Sequence, residues 1–333
     1  MAKPNMVLIS RQGRASLPAD SWSRLTEVAT VDAVKMHSAP SAGKAVRLLA
    51  DADLLGATNA CLPHLNAELL DALPRLRGIV LYATGYDHID VELLKAHRVG
   101  LSVVPGYATV AVAEHTIAMM MAMASRIHLA HDHWRGMTSD GVSLRGVELA
   151  GRTIGVIGLG RIGRRVALLA KALGMRVVGT DTDFVARIRA WRLGVRIMDL
   201  PEVLAAADVV TLCASHRFGA PPILRAPEIA AMRHGSFLVN AARAALVDYP
   251  AATAALRSRR LRGYAVDDRI ADPGADADLL REGRLLQTGH SAWWRDETLE
   301  RGARLWGEHL IAAGSGSPTD TVLWPSRPAL ELV

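Results

Sequence analysis

Cysteine is almost absent from the 333-residue chain: Cys61 and Cys213 are the only two. They lie far apart and without metal-ligand spacing, so neither a disulfide framework nor a metal site is implied. Lysine is scarce too, standing only at positions 3, 35, 44, 95 and 171, so arginine carries most of the basic charge. No block of like charge occurs, which argues against nucleic acid or a membrane surface as a partner. Lys and Arg total 39 against 33 Asp and Glu, a net charge of +6. That mild positive balance suits a small anionic substrate and cofactor. Long apolar runs are missing as well. The most apolar helical stretch, about Thr116–Ala124, is flanked by His115 and Arg126 and is too short to cross a bilayer. The first residues carry no apolar signal-peptide core. A cytoplasmic protein is the expectation.

What is present points to an α/β chain of two domains. Half the residues are apolar and 22% are charged, enough for ample cores. The organising stretch runs from Thr153 to Asp181. An apolar, β-branched run, Thr153–Ile157, reads as a buried parallel strand. Gly158, Gly160 and Gly163 follow in the spacing GxGxxG, then a helical pattern from Arg161 to about Leu173 that Gly174 stops. A second apolar run, Met175–Val178, leads to Asp181. In such a βαβ unit Gly158 makes the tight turn, Gly160 lets a pyrophosphate approach the backbone, and Gly163 packs helix on strand. The helix N-terminus offers free N–H groups and a positive dipole end. Asp181 can accept from the ribose hydroxyls. No Arg follows it to hold a 2′-phosphate, which favours NAD over NADP.

Elsewhere strands are expected at Met6–Ser10, Val46–Ala50, Leu76–Tyr82 and Leu101–Val104. Helices are expected at Pro18–Val28, Asn66–Leu73 and Val91–His97. Ala111–Ile127 reads as one long buried helix whose Met run fills core, placed between the domains or in a subunit interface. Beyond Asp181, strands near Val195–Met198, Asp208–Cys213, Ser236–Asn240, Gly263–Asp267 and Leu285–Thr288 alternate with helices. That alternation predicts a doubly wound parallel sheet. The chain after His290 reads as a helix over about Asp296–Ala313, then a tail returning to the first domain. The expected organisation is residues 106–294 as an NAD-binding Rossmann domain, with 1–105 and 295–333 as a smaller substrate-binding α/β domain.

Functional residues in such a sheet gather at the carboxyl ends of its strands. Arg243 follows Asn240, Asp267 and Asp272 follow GYAV, and His290 follows LLQT. Arg can grip a carboxylate bidentately, and His can exchange a proton with a keto or hydroxyl oxygen. A carboxylate behind the His would stabilise its cationic form. Singly, each reads as a surface or structural residue. Their shared placement beside a dinucleotide site favours hydride transfer to a 2-keto acid.

Several separate stretches then resemble the D-isomer-specific 2-hydroxyacid dehydrogenases, over nearly the full length. They are TGYDHIDVELLKAHRVGLSVVPGYATVAVAEHT, GRTIGVIGLGRIGRRVA, LVNAARAALVD, GYAVDD and TGHSAWW. The resemblance implies a flavodoxin-like first domain, NAD as cofactor, and a homodimer. It makes Arg243, Asp272 and His290 catalytic. It assigns the backbone of Ala83, Thr84 and Gly85 to the substrate carboxylate alongside Arg243. It puts Thr109, Cys213 and Asp267 with Arg161, Ile162, the three glycines and Asp181 in the cofactor site, Asp267 on the nicotinamide carboxamide. The chain departs from the pattern at five positions. Asp272 stands where the family has Glu, shorter by one C–C bond, about 1.5 Å. Ala244 replaces Gly, Ala214 replaces a common Pro, and Gly289 replaces the Pro before the His. Arg269 replaces an aromatic or small residue and would add positive charge near the substrate mouth, or be a solvated surface Arg. Two other readings stay open: an NAD(H)-sensing binding protein like the family's corepressors, and a dehydrogenase of phosphite or a phosphonate.

Overall fold

Short apolar runs bounded by turn residues form parallel strands here because helices cover both faces of each sheet. The computed structural model describes residues 2–137 and 141–324. The chain divides into two compact units: residues up to Tyr107 with those from Arg295 on, and Ala108–Trp294.

The first unit opens with β1 (Asn5–Ser10), α1 (Ala19–Val28), β2 (Thr30–Lys35), α2 (Ala42–Leu49) and β3 (Leu54–Thr58). α3 (Ala67–Asp71), β4 (Gly78–Tyr82), α4 (Val91–Ala96) and β5 (Gly100–Val103) follow. Its parallel strands lie in the order β2-β1-β3-β4-β5, the flavodoxin-like order. Side chains alternate across β1. Val7 and Ile9 join the core that α2–α4 cover, while Met6 and Leu8 are buried on the opposite face. Val46–Ala50, expected as a strand, lies largely within α2. Ala45 and Leu49, four residues apart, form its buried face, and so short an apolar run has no periodicity to separate helix from strand.

The second unit begins with α5 (Thr109–Ser125) and α6 (Ile127–Trp134). The single helix expected over Ala111–Ile127 is broken at Arg126, whose φ of +57° is left-handed. Met119, Met120 and Met123 fill the core beneath. Then come β6 (Thr153–Ile157), α7 (Arg161–Ala172), β7 (Arg176–Thr180), α8 (Phe184–Trp191), β8 (Arg196–Ile197), α9 (Leu200–Ala206), β9 (Val209–Leu212) and α10 (Ala226–Ala231). β10 (Ser236–Asn240), α11 (Tyr249–Arg257), β11 (Leu261–Val266), α12 (Ala277–Arg281) and β12 (Leu285–Gln287) complete it. All seven strands are parallel, in the order β8-β7-β6-β9-β10-β11-β12. This is the Rossmann order with one strand added. The strand reversal falls at β6, whose Ile154 pairs with Val177 of β7 and Val209 of β9.

The chain returns to the first unit through α13 (Asp296–Gly314) and β13 (Thr321–Leu323). Trp306 of α13 is fully buried, donates to Val80 O at 3.1 Å and stacks on Tyr82 at 5.1 Å. β13 pairs antiparallel with β5. The tail beyond, 325–333, lies outside the described residues. No helix among the described residues is long and apolar enough to cross a membrane.

Candidate active site

The glycine turn leaves β6 where the sheet order reverses. Gly158 has φ +93°, and a Cβ on it would lie 2.5 Å from Ala214 N. The backbone after β9 therefore presses against the turn, and Cys213 N donates to Ile157 O at 2.8 Å. Cys213 is beside the turn, but burial pushes its thiol pKa up to about 12, so it is no thiolate nucleophile. A Cβ at Gly163 would collide with Gly158 O, so α7 can start this close to β6 only with glycine there. At Gly160 a Cβ would meet nothing within 4 Å. That open space faces the first turn of α7, where Arg161, Ile162 and Gly163 have N–H groups without helical acceptors. A pyrophosphate fits this cradle. Asp181, just past β7, accepts from Leu159 N at 2.6 Å and from Asp183 N at 2.8 Å. The acid is thus locked against the glycine loop.

The remaining candidates follow the ends of β10, β11 and β12, on the same edge of the sheet. Asn240 is buried, and its side chain takes Ala242 N–H at 3.0 Å and gives an N–H to Arg243 O at 2.7 Å. This fixes the backbone that presents the half-buried Arg243, whose guanidinium donates to Ala242 O at 2.8 Å. Asp267 is buried. Its Oδ1 accepts from Thr288 Oγ1 and Ser291 N, both at 2.7 Å, and its Oδ2 from Ala292 N at 2.9 Å. The resemblance put Asp267 on the carboxamide of nicotinamide. Here its carboxylate ties down the segment carrying His290, with room for about one more donor.

His290 is exposed and holds a left-handed φ of +65°, directly after Gly289 at +65°. Proline is confined to φ near −65°, which accounts for glycine rather than the expected Pro at 289. The Arg269 side chain lies over this turn, its Nε 3.2 Å from where a Cβ of residue 289 would be. Asp272 departs from its expected role. Its Oδ1 accepts from Gly274 N at 2.7 Å and Ala275 N at 3.2 Å, capping its own turn. Its N–H donates to Asp276 Oδ2 at 3.1 Å. No bond joins Asp272 to His290 among the described residues. A carboxylate one carbon short is captured by the nearest free N–H groups.

In the first unit, the loop after β4 bears the residues expected to meet a substrate carboxylate. Ala83 N–H is taken by Leu81 O at 2.8 Å, and Thr84 Oγ1 donates to Val104 O at 3.0 Å. Among the described residues, the N–H groups of Thr84 and Gly85 find no acceptor. Two of the three expected donors are thus available.

The family model for the D-isomer specific 2-hydroxyacid dehydrogenase NAD binding domain matches residues 117–292. The chain belongs to the D-isomer specific 2-hydroxyacid dehydrogenases. The glyoxylate reductase of Aeropyrum pernix is 33% identical over 264 residues, 76% of this chain and 78% of that one. The D-3-phosphoglycerate dehydrogenase of Mycobacterium leprae is 31% identical over 276 residues, 82% of this chain and 52% of that one. The chain thus spans about half the length of the D-3-phosphoglycerate dehydrogenases it matches. The D-lactate dehydrogenase of Aquifex aeolicus, solved with NAD and lactic acid, superposes with a TM-score of 0.78 at 25% identity, covering 97% of this chain and 100% of that one.

The matched model is that of an NAD binding domain, and NAD is the cofactor of this member of the family. Sequence reasoning missed two residues beside Asp267. His115 on α5 and Thr288 after β12 are 2.9 Å apart, Nε2 to Oγ1, and both adjoin Asp267. The contact joins residues 173 apart in the chain, and no local pattern announces it. Among the described residues no group of three His, Cys, Asp or Glu could hold a metal ion.

Proposed function

We propose that the chain interconverts a small 2-keto acid and its D-2-hydroxy acid. The observation that carries this is the placement of Arg243 and His290 at the carboxyl ends of β10 and β12, on the sheet edge that bears the glycine turn. NADH, when bound, would supply the hydride that the carbonyl carbon accepts. Arg243 grips the substrate carboxylate through paired N–H groups, with Thr84 and Gly85 N–H as further donors. His290 gives a proton to the keto oxygen during reduction and takes it back during oxidation. Gly158, Gly160, Gly163 and the N–H groups of Arg161 and Ile162 hold the pyrophosphate. Asp181 holds the ribose, and Thr109 and Asp267 serve the nicotinamide end. In this reading 106–294 is the cofactor domain, 1–105 with 295–333 is the substrate domain, and two chains form a homodimer.

Mixing the protein with NADH and a panel of 2-keto acids, from glyoxylate and hydroxypyruvate to phosphorylated and bulkier acids, tests the reading. Loss of NADH with formation of the D-hydroxy acid is expected for at least one. NADH binding without turnover of any member would refute it. One observation favours a second reading. Asp272 is committed to its own turn, and among the described residues no carboxylate is bonded to His290, as suits an NAD(H)-sensing binding protein. That reading expects tight NADH binding and no turnover.

A further inference from the structure

His115 takes no part in the proposed reaction, yet it begins a buried chain of bonds that ends beside His290. The chain starts on the second turn of α5, where His115 Nε2 lies 2.9 Å from Thr288 Oγ1. Thr288 Oγ1 donates to Asp267 Oδ1 at 2.7 Å. Asp267 in turn accepts the N–H groups of Ser291 and Ala292, the two residues after His290. The side chains of His115 and Asp267 are 11% and 5% exposed, so water competes little for these bonds.

The protons fix the direction. A hydroxyl has one proton and an ionised carboxylate only accepts. Thr288 spends its proton on Asp267 and turns a lone pair to His115. His115 Nε2 must therefore carry a hydrogen, whether the ring is neutral or cationic. In the cationic form the ring also faces Asp267 Oδ1 at 3.7 Å. Met119 Sδ, 3.7 Å from Thr288 Oγ1, borders the hydroxyl from the next turn of the same helix.

The load on this chain is the backbone of His290. A non-glycine residue at φ +65°, directly after another left-handed residue, persists only where its surroundings hold it. The two N–H bonds to Asp267 supply that hold, and Thr288 and His115 keep the Asp267 carboxylate turned toward them. We propose that His115 is a positioning residue: through Thr288 and Asp267 it holds His290 in the geometry that proton transfer requires. The proposal rests on His290 being the acid–base residue of the proposed function.

His115→Phe removes the donor and keeps a ring. Thr288→Val removes the hydroxyl at nearly constant shape. His115→Gln keeps an N–H at the ε position. Amide hydrogen exchange at Ser291 and Ala292 is measured in each NADH complex, beside kcat and KM for an accepted 2-keto acid. His115→Phe and Thr288→Val are expected to speed exchange at those two amides and to lower kcat roughly tenfold to hundredfold, with KM little changed. His115→Gln should restore both toward wild type. If His115→Phe does not fold, Thr288→Val carries the same test. Wild-type exchange in the variants overturns the relay, and faster exchange with unchanged kcat overturns its catalytic purpose. A wild type that turns over no 2-keto acid refutes the proposed reaction instead, while the exchange data still decide the relay.

Discussion

Replacing Gly160 by Ala should separate the fold from its cofactor. A Cβ at this position meets no heavy atom within 4 Å, and the backbone angles of −64° and −161° suit alanine. Alanine is a slightly poorer N-cap than glycine, a cost under about 1 kcal/mol, so Tm should fall by less than about 4 °C. The methyl group instead fills the space through which a pyrophosphate reaches the first N–H groups of α7. Losing one charge-assisted hydrogen bond costs about 1.5–3 kcal/mol, or roughly 10- to 150-fold in Kd for NADH. Gly163→Ala is the contrast. Its Cβ collides with Gly158 O and lies 3.2 Å from Val156 Cγ1, so α7 must shift from β6. Overpacking of that kind costs about 1–3 kcal/mol, and stability and binding should fall together. Fluorescence titration with NADH and thermal melts of both variants make the test. A Gly160→Ala protein that binds NADH like wild type would refute the pyrophosphate placement, and one as unstable as Gly163→Ala would refute the packing argument.

Three further outcomes follow from the site and the core. Asp272→Asn keeps an oxygen for Gly274 N and Ala275 N, so kcat should change by less than about tenfold. A loss of about 100-fold or more, the scale of a lost acid–base partner, would show that the carboxylate acts on His290. Arg269→Ala removes a cation beside Gly289 and should raise KM for the keto acid about threefold; an unchanged KM for every accepted acid would make Arg269 a solvated surface residue. His309 is buried in α13, with Nδ1 3.3 Å from Ser102 Oγ and Nε2 3.4 Å from Asp320 Oδ2. Burial lowers its pKa below 6.5, outweighing the nearby Asp320. The unfolded chain therefore takes up this proton first as pH falls. The stability that neutral His309 contributes is complete above 6.5 and lost below it. Urea midpoints should drop as the pH falls below 6.5, and less so in His309→Gln; equal drops would assign the loss to other groups.

The β6–α7–β7 unit was legible because each of its constraints is local. A buried parallel strand shows as a continuous apolar run, and Gly158 and Gly163 sit where side chains would strike backbone. Strand ends marked the positions of Arg243, Asp267 and His290 for the same reason. The failures have physical causes. β2 alternates exposed with half-buried residues, so it lacks the apolar run of a central strand. α2 buries only Ala45 and Leu49, too few to show a period. The break after α5 falls on an arginine, where left-handed backbone has no sequence signal of the kind glycine gives. At the site, residue types were readable but their bonds were not. Asp272 is captured by N–H groups two and three residues on. Asp267 supports the His290 segment through contacts 24 and 25 residues away.

In the proposed function His290 moves the proton while the glycine loop holds the cofactor. Wild type and His290→Gln, compared for NADH affinity and for reduction of an accepted 2-keto acid, test it most directly. NADH affinity should be unchanged in the variant and turnover lost by about 100-fold or more. Turnover at the wild-type rate in His290→Gln would contradict it.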